Sequence, residues 1–170
     1  MKLEFADNLP ENLISQAVCI SGRKSYYLNH TKYVLVKEND IYTRAFEIKY
    51  EFHCSPFEQA EIYQDILAVG FEGHFYLFNI NKNKSILILA MEGYFGHFYE
   101  NNNHLYVADA GTLCCITLEG IIIWHNKNLA IDGVIVDRFE QGKIFGSGEW
   151  DPPGGWRDFI IDNLTGVALR

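Results

Sequence analysis

The chain has 170 residues, 48% of them apolar and 21% charged, with a formal net charge of -8. That length suits one domain with its own core, and the balance excludes a disordered tail, a collagen-like chain and a coiled coil. With 14 Lys and Arg against 22 Asp and Glu, no basic footprint of a nucleic-acid binder is visible. The start, Met1 to Asp7, carries acids at Glu4 and Asp7, and Pro10 follows. This breaks the basic start and run of about 7–15 apolar residues that a signal peptide needs. No run approaches the ~18 apolar residues of a membrane helix. The expectation is a soluble cytoplasmic protein with no nucleic-acid or membrane partner.

Two early segments suggest helical turns. Asn8 before Pro10 predicts a capped turn reaching about Gln16, since Pro suits a first helical turn. Ser55-Pro56-Phe57-Glu58 has the capping-box pattern. The rest reads as short strands rich in Ile, Val, Phe and Tyr, separated by Gly, Asn and Asp clusters. The first part predicts strands at 17–21, 25–28, 33–37 and 44–53. Cys19, Cys54, Cys114 and Cys115 form no CxxC pair, so a zinc ribbon or thioredoxin-like site is not indicated. In a strand Cys114 and Cys115 point to opposite faces, and His53 and Cys54 diverge in the same way.

The second part repeats itself. With Leu67 set against Leu105, Val69 falls on Val107, Gly73 on Gly111, Phe75 on Leu113 and Phe78 on Ile116. A third copy starts at Lys143, where Ile144-Phe145 replaces Leu105-Tyr106 and Phe159 to Asp162 replaces Cys114 to Thr117. The period of about 38–40 residues with four short strands is the signature of propeller blades. In the middle unit the strands are predicted at 104–109, 112–118, 121–125 and 133–139. The 170 residues read as a single domain, with a degenerate β region over 1–64 and repeat units over 65–103, 104–142 and 143–170.

The stretch Leu105 to Trp124 resembles the repeat of pyrroloquinoline-quinone-dehydrogenase-type and WD-type β-propellers. A strand ending at Asp109, the Gly111 turn, a second strand, the Glu119-Gly120 turn and a strand ending at Trp124 carry the resemblance. It is a likeness of fold and implies no quinone or other cofactor. Two units and most of a third fall short of a closed ring of about four to eight blades. The fold class expected is therefore all-β, a partial or open propeller-like stack of four-stranded antiparallel sheets.

No nucleophile elbow, P-loop, dinucleotide fingerprint or HExxH pattern is present. Charge is the stronger signal. Residues 1–85 hold 9 basic and 11 acidic side chains, net -2; residues 86–170 hold 5 and 11, net -6. One stretch combines this acidity with aromatic rings. Between the first two strands of the third unit, a Pro- and Gly-punctuated loop over 148–158 holds Glu149, Trp150, Asp151, Trp156 and Asp158. Trp is enriched at interface hot spots and rim charges set specificity. Tyr94, His97 and Tyr99 form a second candidate group. Both Trp rings packing back as a lid on the last sheet is the competing reading. The Glu100 to Asn103 segment reads as a tight turn, because Asn tolerates left-handed angles.

These features predict a non-enzymatic protein-binding module that holds a basic protein. In size, acidity and lack of a catalytic motif the chain resembles the immunity proteins of bacterial toxin systems, including contact-dependent growth inhibition. That likeness implies a toxin nuclease as partner. Alternatives are a carbohydrate-binding module stacking sugars on Trp150 and Trp156, an enzyme using Glu149 and Asp151 as acid and base, and a scaffold subunit of a larger propeller.

Overall fold

A computed structural model describes residues 1–22, 28–151 and 154–169. Most of the strand predicted at 25–28, the two prolines of the 148–158 segment and Arg170 lie outside the described residues.

Left-handed turn residues set the hairpins. Asn39-Asp40 (φ 48° and 63°), Asn102-Asn103 (53° and 62°) and Gln141-Gly142 (49° and 73°) each close a two-residue turn. Backbone of this kind matches the twist of the flanking strands. Such hairpins build four sheets. The first contains β1 (Lys2–Ala6), β2 (Val18–Cys19), β3 (His30–Glu38) and β4 (Ile41–Tyr50), in the order β1-β3-β4-β2. The second runs β5 (Glu58–Tyr63), β6 (Ile66–Phe71), β7 (His74–Asn79) and β8 (Lys84–Ala90). The third runs β9 (Phe95–Asn101), β10 (His104–Asp109), β11 (Leu113–Thr117) and β12 (Ile122–Asn126). The fourth has β13 (Val134–Glu140), β14 (Lys143–Trp150) and β15 (Gly155–Asp162), with a bridge from Ile161 to Ala168. Pairing is antiparallel except for the two-residue β2 beside β4.

The middle sheets are apolar on both faces, so their inner strands are buried almost throughout. Strand β6 sends Leu67, Val69 and Phe71 into a layer with Val34, Phe46 and Ile48 of the first sheet. Its alternate residues, Ile66 and Ala68, pack with Phe95, Leu105 and Cys114 of the third. Beyond that sheet, Tyr106, Leu113, Cys115 and Trp124 meet Val134, Ile144, Phe159 and Ile161. Cys114 and Cys115 thus enter different layers, as strand alternation predicts. Four sheets give three such layers, an open propeller-like stack. Strands β1, β5, β9 and β13 lie beside one another along one side of it. The Gln59 amide links β5 to β9 by accepting from the Phe98 N–H and donating to the Phe98 carbonyl, each at 2.9 Å.

The two outermost faces differ. Leu13, on the 3-10 turn Glu11–Leu13, covers Leu35 and Ala45 on the outer face of the first sheet, with Leu9 and Ala17 beside it. On the outer face of the fourth sheet, Ile135 is 39% and Trp156 50% exposed.

Several expectations need correction. The turn before Gln16 is only one 3-10 turn. Ser55 starts no helix: its Oγ accepts the Phe57 N–H at 2.9 Å and donates to the Phe95 carbonyl at 2.7 Å. Glu58 begins β5 instead. The sheets also divide one strand earlier than the repeat units, so 95–101 belongs with 104–126 and 134–140 with 143–162. Among the described residues no helix is long and apolar enough to cross a membrane.

Candidate functional site

The 148–158 segment is a hairpin rather than an inserted loop. Strands β14 and β15 pair without a break out to Trp150 opposite Gly155, and Gly154 N donates to the Asp151 carbonyl at 2.6 Å in the turn. Alternation then sorts the five candidates. Glu149 faces its partner Trp156 on the outer surface, and Asp158 lies along the same face opposite Ser147. Trp150 is on the opposite face, half-buried, with the Arg157 guanidinium 5.3 Å from its ring centre. Asp151 is exposed at the tip.

A connector brings Tyr94 to this hairpin. Between the third and fourth sheets, Ile131 N and Asp132 N donate to the Glu149 carbonyl at 2.8 and 3.2 Å, and Glu149 N donates to the Gly133 carbonyl at 2.8 Å. The Tyr94 hydroxyl donates to the Asp132 carbonyl at 2.5 Å and its carboxylate at 3.2 Å. Burial first, then the nearby charges of Asp132 and Glu149, pushes that hydroxyl up to about 12. Gly133 sits under the cluster. A Cβ there would lie 3.3 Å from the Trp156 ring and 3.8 Å from a Glu149 carboxylate oxygen. Tyr94, Asp132, Glu149 and Trp156 therefore form one acidic, aromatic rim around Gly133.

The other candidates separate from it. The His97 ring packs 4.8 Å from Phe57, which also stacks with Tyr94 at 6.5 Å. Burial holds His97 below its ordinary value. Tyr99 is turned into the layer between the third and fourth sheets, where its hydroxyl accepts the Val136 N–H at 3.2 Å. It joins β9 to β13 and offers little surface.

Sequence reading missed Asp132, Gly133 and Phe57. The Asp-Gly pair is a turn signal, but its place beside Glu149 is tertiary. Phe57 is set by Glu72, at the tip of the β6–β7 hairpin. This buried carboxylate accepts from Cys54 N at 2.5 Å and Ser55 N at 2.9 Å and pairs with His53 Nδ1 at 2.8 Å. Burial raises its affinity for a proton, but the two backbone donors and His53 outweigh that and leave it below its ordinary range.

A cleft of about 530 Å³ opens elsewhere, beside Tyr63, Lys82, Lys84 and Leu118. It contains none of the candidate residues. Among the described residues no group of three or more His, Cys, Asp or Glu is placed to hold a metal ion.

No protein-family model and no curated protein matches the sequence. Among solved structures the chain is similar to BamB from Moraxella catarrhalis, with a TM-score of 0.55 and 11% identity over 81% of this chain and 42% of that one. It is also similar to the WD40 domain of Toxoplasma gondii coronin, with a TM-score of 0.54 and 13% identity over 82% of this chain and 40% of that one. The chain spans about two-fifths of the length of these neighbours. At this identity the likeness concerns fold: both neighbours are β-propellers, and the four stacked sheets here share that arrangement.

Proposed function

We propose that this protein is a non-enzymatic binding module that holds a basic protein, as an immunity protein holds a toxin nuclease. One observation carries the reading. The outer face of the fourth sheet presents a half-exposed Trp156 beside Glu149 and Asp158, in a half of the chain with net charge -6. An amphipathic ring among carboxylates suits Lys and Arg, through cation–π contact and ion pairing. Such acids raise association rates with a basic partner and repel acidic ones.

The test is capture from cells that make the protein, using immobilised wild type and a Glu149→Gln/Trp156→Ala/Asp158→Asn variant. A basic protein retained by wild type, released as salt rises from about 0.1 M toward 1 M, and absent from the variant supports the reading. Retention by the variant, or capture of an acidic protein, overturns it.

A further inference from the structure

The cleft beside Tyr63 takes no part in the protein-binding face. It opens between the second and third sheets, at the end away from the Glu72 hairpin tip. Three turns wall it: 64–65 after β5, 80–83 after β7 and 118–121 after β11. Its floor belongs to the apolar layer between those sheets. Ile66 is buried in that layer, and Tyr63, Ile86 and Leu118 pack against it. Ile86 sits at a bulge, because Leu87 stands opposite Leu77 and Ser85 opposite Phe78. A bulge of this kind re-aims side chains beside it.

The polar wall is built around Asn79, which is 7% exposed. Its side-chain amide donates to the Asp65 carboxylate at 2.7 Å, and its side-chain oxygen accepts the Lys82 N–H at 2.7 Å. The Asp65 carbonyl accepts the Ile80 N–H at 2.8 Å. These bonds fix the turn that carries Lys82 and Lys84 into the cleft wall. Lys2, Lys32, Lys37 and Lys127 each pair with a carboxylate, whereas among the described residues Lys82 and Lys84 do not. Ser85 adds a hydroxyl beside them, and Glu119 lines the cleft from the third sheet. A chain of net charge -8 thus holds two unmatched ammonium groups over an apolar floor.

We propose that this cleft binds a nucleoside monophosphate. The phosphate lies at Lys82 and Lys84, where two cations from one turn match a group of about two negative charges. The base covers Tyr63, Ile66, Ile86 and Leu118, and Glu119 accepts a hydrogen bond from a sugar hydroxyl. A space of about 530 Å³ suits a ligand of this size. Inorganic phosphate leaves the apolar floor bare, and a free nucleoside leaves the lysines unmatched. A triphosphate brings further negative charge toward Asp65 and Glu119, which disfavours it. The site is independent of the proposed protein partner.

The experiment is a titration of the isotope-labelled full chain, followed by the backbone amide signals of residues 82–85 and 118–120. Adenosine and uridine monophosphates are compared with adenosine, inorganic phosphate, phenyl phosphate and adenosine triphosphate. At least one monophosphate should give saturable shifts confined to these turns and bind at least about tenfold more tightly than each of the other four. Lys82→Gln/Lys84→Gln should melt like wild type, since both lysines are exposed, yet lose at least about tenfold in affinity. Absence of shifts at these amides up to about 10 mM of either monophosphate overturns the proposal. So does unchanged affinity in the double variant, or tighter binding of the triphosphate. Equal binding of phenyl phosphate overturns the nucleoside assignment. None of these outcomes bears on the capture of a basic protein.

Discussion

Replacing Glu72 with Ala removes one buried acceptor from three donors. The Cys54 and Ser55 N–H groups then lose their partners, at about 1–3 kcal/mol each for an unsatisfied buried donor. The His53 side chain is 70% exposed and turns to water, so its pairing adds little. Partial hydration of a half-buried segment brings the total to roughly 2–4 kcal/mol. For a domain of this size that lowers the melting temperature by roughly 4–16 °C, at about 2–4 °C per kcal/mol.

The effect has a pH signature. Glu72 has its folded-state affinity for protons lowered, so its stabilisation is present above its ordinary 4.5 and is lost as pH falls through the folded value. Melting curves by circular dichroism for wild type and Glu72→Ala should differ most near neutrality and converge in acid. A shift below about 1 °C, or a gap of the same size at about pH 3, refutes the role given to this carboxylate.

Gly148→Ala is a severe test of the junction between the third and fourth sheets. The new Cβ would lie 1.9 Å from the Leu129 carbonyl, so a loss of roughly 3 kcal/mol or more is expected in chemical denaturation. Cys114 and Cys115 are buried, and burial pushes the Cys114 thiol up to about 12. Neither should react with a thiol reagent at neutral pH until the protein unfolds, as mass spectrometry reads directly. Tyr94→Phe deletes the link to Asp132. It should cost roughly 0.5–1.5 kcal/mol and speed amide exchange in the 131–133 connector.

Local chemistry made much of the fold legible. Asn102-Asn103 announces a left-handed turn, and Cys114-Cys115 divides between two layers because strand side chains alternate. Where the sheets divide was not legible. The repeat recurs whichever strand is counted first, and connector length gives no cue, because 91–94 between two sheets is no longer than 80–83 and 118–121 within them. The Ser55 pattern was outweighed by a long-range bond to the Phe95 carbonyl. Pro and Gly at the 151–154 tip resembled an insertion, although the flanking residues continue both strands.

Among the site residues, Trp156, Glu149 and Asp158 share a face because they lie in register across the hairpin. Tyr94 joins them only through Asp132, a contact 38 residues along the chain. Tyr99 looked equally available in sequence, yet Val136 takes its hydroxyl into the layer between sheets.

The affinity of the captured basic partner for wild type and for the Glu149→Gln/Trp156→Ala/Asp158→Asn variant tests the functional account most directly. It is measured as ionic strength rises from about 0.05 M to about 0.5 M. Wild-type binding should weaken steadily with salt. The variant should melt like wild type yet bind at least about 30-fold more weakly at low salt, the loss of roughly 2 kcal/mol expected of a central Trp. Equal affinities, or binding indifferent to salt, would contradict the account.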